Sequence, residues 1–319
     1  MSPRPLKSLR SLGKDLGISS GDKIGLELDI LPHSYCLRLA GSLGEDVAIS
    51  DISEEIKHIR SVKSEYEIDL VRRAAENLDA AIACVADHLR EGMREIDLAA
   101  EVEKSLRLSG HPGRVAFRRF NHSLPMGHLM AGESAAYPSY VSSPTGGKGM
   151  SLFLPQGPGF ARIRRGQPVL VDYAGCYNGY TADETRIFCL GSPPPEMEQA
   201  HQAALQIEEA VALELNPGRL CRDTWNLSEA EGERLGYGEH LGGPKGRKAG
   251  FVGHGLGLEI DEYPVIGPLD QEIKENMIIA VEPKMIYPGK GVVGVEDTYL
   301  VRAGGAESLT RLPREIWRV

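Results

Sequence analysis

The sequence predicts an α+β fold in which helices cover a strongly bent antiparallel sheet. Three observations carry this: capped helical stretches between residues 61 and 110, two extended segments on either side of Asn178-Gly179, and a second extended pair across Pro288-Gly289. The chain of 319 residues can bury one large core or two modest ones. Its 41% hydrophobic and 25% charged residues are those of a globular protein, which excludes disordered and collagen-like classes.

The first sixty residues read as helix, strand, helix, strand: LKSLRSLGKDLGI, KIGLELD, LPHSYCLRLAG and DVAIS. Two strands expose edges over a thin core, so this piece should need further partners. From Ser61 a long helical stretch follows, with Ser64 and Glu67 spaced as a capping box and Ile68, Val71, Ala75, Leu78, Ile82 and Val85 on one face. Gly92 should stop it, and a second helix should run from Ile96 to Leu108 and end at Gly110. Residues 114–161 are strand-like pieces broken by Gly and Pro, among them the loop-like YVSSPTGGKGM, and loops of this length usually serve a site. Helices are expected over residues 193–215 and 223–235, the second closed by Gly236.

A net charge of −9 argues against a general nucleic-acid surface. The short basic stretch Arg162, Arg164, Arg165 reads as a solvated loop. No apolar run reaches the roughly 20 residues of a membrane helix, and MSPRPLKSLR lacks a signal-peptide core, so no membrane association and a cytoplasmic location are expected. The five scattered cysteines fit free thiols, with Cys84 a core residue rather than a nucleophile.

The chemistry lies in acids set into apolar strands. If Asn178 and Gly179 form a two-residue turn, Tyr177 pairs with Tyr180 and Asp172 with Thr185. Asp183 then becomes a diagonal neighbour of Asp172 on the same face. Two more acids, Glu282 and Glu296, fall on the arms of the second hairpin, opposite one another only if its loop is odd in length or a bulge shifts the register. His254 sits in FVGHGLGLE, where flanking glycines leave its imidazole approachable. Any one of these acids alone could be a solvent-facing strand residue or half of a salt bridge. Four buried carboxylates together would repel, and two divalent cations would cancel their charge. One nitrogen among oxygens suits Mn, Co, Fe or Zn without choosing between them.

VDYAGCYNGYTADETRIF, GHGLGLEIDE, AVEP and VGVEDTYLV, in that order, resemble the pita-bread metallopeptidases. That family comprises Xaa-Pro dipeptidase (prolidase), Xaa-Pro aminopeptidase, methionine aminopeptidase and metal-free creatinase, and the prolidase branch is the nearer. The resemblance implies a catalytic domain at residues 61–319. It also implies two divalent metal ions, one on Asp172, Asp183 and Glu296 and the other on Asp183, His254, Glu282 and Glu296. Residues 1–60 are similar to the second half of the creatinase-type N-terminal domain, with GLELDILP and IRSVKSEYEIDLVRRAAEN as landmarks, so a partial domain is expected there. The family often associates through that domain, which leaves a homodimer open.

Three positions depart from the pattern. Gln156 in LPQGPGFARIRRG and Asp261 in GLEIDE stand where prolidases carry substrate-side histidines, and Lys284 follows Glu282-Pro283 where the family usually has Gly. Lys284 reads either as a surface cation or as a group that meets an anionic substrate. The implied activity is removal of the N-terminal residue from a small peptide of the Xaa-Pro type by a metal-bridged hydroxide, with Gln156, Asp261 and Glu282 on the catalytic side. Two other readings remain: a metal-dependent lyase or non-peptide amidohydrolase acting on another small molecule, and a binding protein without catalysis.

Overall fold

The computed structural model describes every residue except 1–3, 20, 44–46, 120–122, 140, 142 and 245. The chain divides into two compact units, one formed by Met1–Arg60 with Arg118–His122 and the other by Ser61–Phe117 with Ser123–Val319. In the first unit, helix α1 (Arg4–Asp15), strand β1 (Lys23–Leu26), helix α2 (His33–Leu43) and strand β2 (Ala48–Asp51) follow one another in the expected order, and α3 (Ser53–Ser61) leads to the boundary. β1 and β2 pair in parallel from Lys23↔Ala48 to Leu26↔Asp51. The inclusion of residue 118 in this unit has an ionic basis, since the Arg118 guanidinium donates to Glu27 and to both oxygens of Asp29.

The second unit opens with α4 (Glu65–Ala83), whose capping box joins Ser64 and Glu67 as their spacing requires. The helix stops at Cys84, ahead of the expected Gly92, and resumes as the short α5 (Val85–His88). The helix α6 (Glu95–Leu108) follows. Short strands β3 (Val115–Ala116) and β4 (Ser123–Leu124) precede β5 (Gly127–Ala131) and a 3-10 turn at Gly132–Ala136. Next come the long strands β6 (Pro168–Tyr177) and β7 (Tyr180–Cys189), then helices α7 (Pro195–Glu214) and α8 (Cys221–Leu235). The remaining strands are β8 (Gly253–Gly255), β9 (Glu262–Ile266), β10 (Ile278–Val281), β11 (Lys284–Tyr287), β12 (Gly291–Gly294), β13 (Asp297–Arg302), β14 (Gly305–Ser308) and β15 (Trp317–Arg318).

Two sheets carry the site. One runs β15-β7-β6-β5 and the other β14-β13-β10-β8-β9, with β11-β12 a separate ribbon. Alternation sorts the side chains of β6: Val169, Val171 and Tyr173 join the core under α4 and α6, whereas Leu170 joins the core built with α7. Asp172 lies on the Leu170 side by the same period. The Asn178-Gly179 turn is as read, with φ of 48° and 89°, and it pairs Tyr177 with Tyr180 and Asp172 with Thr185.

The second hairpin meets the condition set for it. Its loop is Pro288, Gly289 and Lys290, an odd number, and Tyr287 pairs with Gly291. One register continues from Lys284↔Gly294 to Val281↔Asp297, so Glu282 faces Glu296. Pro283 has no N–H to give the ladder, which is why the hairpin divides between two sheets at this point. Among the described residues, no helix is long and apolar enough to cross a membrane. The cysteines are free; Cys84 is half-buried against the core, and burial pushes its thiol up to about 11.

Candidate metal centre

Asp172, Asp183, His254, Glu282 and Glu296 all line one cavity of about 470 Å³, together with Gln156 and Asp261. Each ligand candidate is at least 92% buried, the least covered being 8% exposed. Asp172 and Asp183 come from the first hairpin, His254 from β8, and Glu282 and Glu296 from the interruption of the second. The glycines beside His254 also have a role in strand packing. A Cβ on Gly253 would lie 2.3 Å from the Ala280 carbonyl oxygen, and one on Gly255 2.1 Å from that of Tyr263. They let β8 approach its neighbours closely, and so place the imidazole.

His254 Nδ1 lies 3.2 Å from the Gly255 carbonyl oxygen, which directs Nε2 towards the acids. Nε2 lies 3.5 Å from Glu282 Oε1 and 4.0 Å from Glu296 Oε1. Donor atoms of Asp183, His254 and Glu296 all lie within 4.8 Å of one another.

The placement of Lys284 corrects the first of its two readings. It is not a surface cation: its side chain is 1% exposed at the lining of the cavity, and Nζ donates to Asp172 Oδ2 at 2.7 Å, Glu282 Oε2 at 2.7 Å and Glu296 Oε2 at 2.9 Å. An ammonium has three N–H donors, and these three carboxylates take them all. The signal for this lay in the strand period, since residues 282 and 284 are two apart and share a face.

The sequence reading also missed His128 and Thr185. His128 is opposite Asp172 in the β5-β6 pairing, and its Nε2 lies 3.1 Å from Asp172 Oδ2 and 2.9 Å from Thr145 Oγ1. Thr185 donates its hydroxyl to Glu296 Oε2 at 2.7 Å. Gln156 accepts a hydrogen bond from Ser139 at 2.8 Å on Oε1, which leaves its NH₂ as a donor.

Electrostatics divides the cluster in two. Burial opposes the charge on Asp172 most strongly, yet the Lys284 ammonium and then His128 hold its carboxyl below the usual range. On the other side, burial together with Glu296 and Asp172 pushes Asp183 well above its ordinary value. Glu296 is pushed up to about 7, mainly by burial, with Lys284 pulling it down and Glu282 and Asp172 adding to the rise. Burial lowers His254, but Glu282, Asp261 and Glu296 raise it more. The chain's own cations therefore satisfy Asp172, whereas Asp183 and Glu296 are under-compensated.

The donor chemistry fits one divalent ion on Asp183, His254 and Glu296, with Glu282 Oε1 beside them. Lys284 Nζ already holds Asp172 Oδ2 and Glu296 Oε2, one oxygen from each of two residues expected to share a second ion.

Residues 69–303 match the model of metallopeptidase family M24. The chain is 29% identical over 266 residues to the Xaa-Pro dipeptidase of Pyrococcus furiosus, covering 83% of this chain and 67% of that protein. It is 27% identical over 307 residues to the Xaa-Pro dipeptidase of Pyrococcus horikoshii, covering 95% of this chain and 75% of that one. Among solved structures, the X-Pro aminopeptidase from Thermotoga maritima superposes with a TM-score of 0.82 at 26% identity, covering 98% of this chain and 79% of that one. The α+β architecture and the resemblance to the prolidase branch are thus borne out, and the chain belongs to metallopeptidase family M24, with the pita-bread fold.

Proposed function

We propose that this chain is a metal-dependent peptidase that releases the N-terminal residue from small peptides of the Xaa-Pro type. The observation that carries the reading is the convergence of Asp183, His254 and Glu296 within 4.8 Å inside a cavity of dipeptide size. The substrate class comes from relatives that are named Xaa-Pro dipeptidases. The cavity wall supports it, since Val115, Phe117, Leu124, Met126 and Ile260 offer an apolar surface on which a proline ring can pack.

A divalent ion on these ligands would act as a Lewis acid and lower the pKa of an attacking water. Glu282 is the proton acceptor of the proposal, buried in the cavity with Oε1 3.5 Å from His254. Gln156 offers its amide N–H to the scissile carbonyl oxygen in place of an imidazole. Asp261 places negative charge on the lining, suited to a peptide's α-ammonium.

The test is amino-acid release from a panel of Xaa-Pro dipeptides by chelator-treated protein reloaded with Mn, Co, Fe or Zn. Turnover that needs the ion and disappears in Glu282→Gln is expected. Metal-loaded protein that cleaves none of the panel would overturn the peptidase reading. A metal-dependent lyase or non-peptide amidohydrolase is the second reading, favoured by Gln156 and Asp261 in the cavity lining, where the sequence resemblance implies histidines. If the double substitution Gln156→His, Asp261→His creates a peptidase that the parent is not, the second reading holds.

A further inference from the structure

We propose that Lys284 is a built-in replacement for one of two metal ions, so that the chain binds a single divalent cation on Asp183, His254, Glu282 and Glu296. The inference rests on the reading of this cluster as a metal site and departs from it in the number of ions.

The carboxylate oxygens are already divided. Oε2 of Glu282 and Oε2 of Glu296 accept from Lys284 Nζ, at 2.7 Å and 2.9 Å. Oε2 of Glu296 also accepts from Thr185 at 2.7 Å. The Oε1 atoms of the same two residues are the ones near His254 Nε2, at 3.5 Å and 4.0 Å. Each glutamate thus bridges an ammonium on one side and the remaining cation position on the other.

A metal ion would draw oxygens to about 2.0–2.2 Å and keep a coordination position for substrate. An ammonium cannot do the second of these, because its donors are all spent on Asp172, Glu282 and Glu296. Lys284 therefore supplies charge and geometry without Lewis acidity. Asp172, which would ligate the replaced ion, instead joins the ammonium to His128.

The fold accommodates the lysine. Lys284 pairs with Gly294 across the β11-β12 ribbon. A Cβ at Gly294 would lie 2.8 Å from the Lys284 Cα and 3.1 Å from its Cγ, so the glycine leaves room for the lysine's stem.

The experiment is metal counting on the full chain. Protein stripped with chelator and dialysed against excess Mn²⁺ is analysed for metal content and by electron paramagnetic resonance. One ion per chain with an uncoupled six-line Mn signal is expected. Two ions per chain, or an exchange-coupled signal, would overturn the replacement while leaving a metallopeptidase intact. No bound ion would overturn both, and one ion without peptide cleavage would overturn only the proposed substrate class. In Lys284→Gly, a second ion is expected together with coupling between the two. Lys284→Met, which keeps the stem and removes the charge, controls for folding by its circular dichroism; the wild-type count stands whether or not either variant folds.

Discussion

Thr185 shows how much of this site depends on residues that touch no metal. Its hydroxyl and the Lys284 ammonium converge on Glu296 Oε2, fixing the carboxylate so that Oε1 faces His254. Outer partners of this kind commonly contribute 10–100-fold in affinity. Thr185→Val, which keeps the shape and removes the donor, should therefore weaken Mn²⁺ binding by about 10–100-fold in calorimetric titration, with little loss of fold. Unchanged affinity would mean that Lys284 alone orients Glu296. The five acidic and imidazole candidates were legible because carboxylates in apolar strands stand out. His128 was not, because its approach to Asp172 depends on β5 pairing with β6, and no turn chemistry announces that pairing. Lys284 was legible only to a reader who extended the strand period from Glu282.

At the scale of elements, the Asn178-Gly179 turn sets the register that places Asp172 and Asp183 on one face. A Cβ on Gly179 would meet only Leu258, at 3.8 Å, so the requirement for glycine is its φ of 89° rather than space. Gly179→Ala should cost about 1–2 kcal/mol in urea unfolding, the strain of a left-handed conformation in an L-residue. Ser64→Ala removes half of the capping box of α4 and should cost about 0.5–2 kcal/mol in the same measurement. An unchanged midpoint in either variant would show that tertiary packing, not local chemistry, sets these boundaries. Both elements were readable because their signals are local. The break at Cys84 was not, since neither Gly nor Pro marks it in the sequence.

For the second unit as a whole, stability should follow pH through ion pairs that join distant segments. Arg72 on α4 and Glu307 on β14 form a two-point pair, at 2.6 Å and 2.7 Å. The Arg72 hydrogen bonds hold the Glu307 carboxyl below its usual value of 4.5. A depressed carboxylate stabilises the fold above its unfolded pKa, and the contribution is lost as pH falls through the folded pKa. Glu307 is 42% exposed, so screening limits the effect to about 0.5 kcal/mol. Glu307→Gln should thus lower the urea midpoint at pH 7, and the gap from wild type should close below the usual carboxylate range. A gap that persists at low pH would assign the loss to packing instead.

The most direct measurement of the central claim, that folding gathers these side chains around a place for a divalent cation, is the thermal unfolding of chelator-stripped protein with and without Mn²⁺. A ligand at about 100 times its Kd adds about 2.7 kcal/mol, so wild type should melt several degrees higher with the ion, and Asp183→Asn should not respond. An equal shift in both proteins, or none in either, would contradict the account.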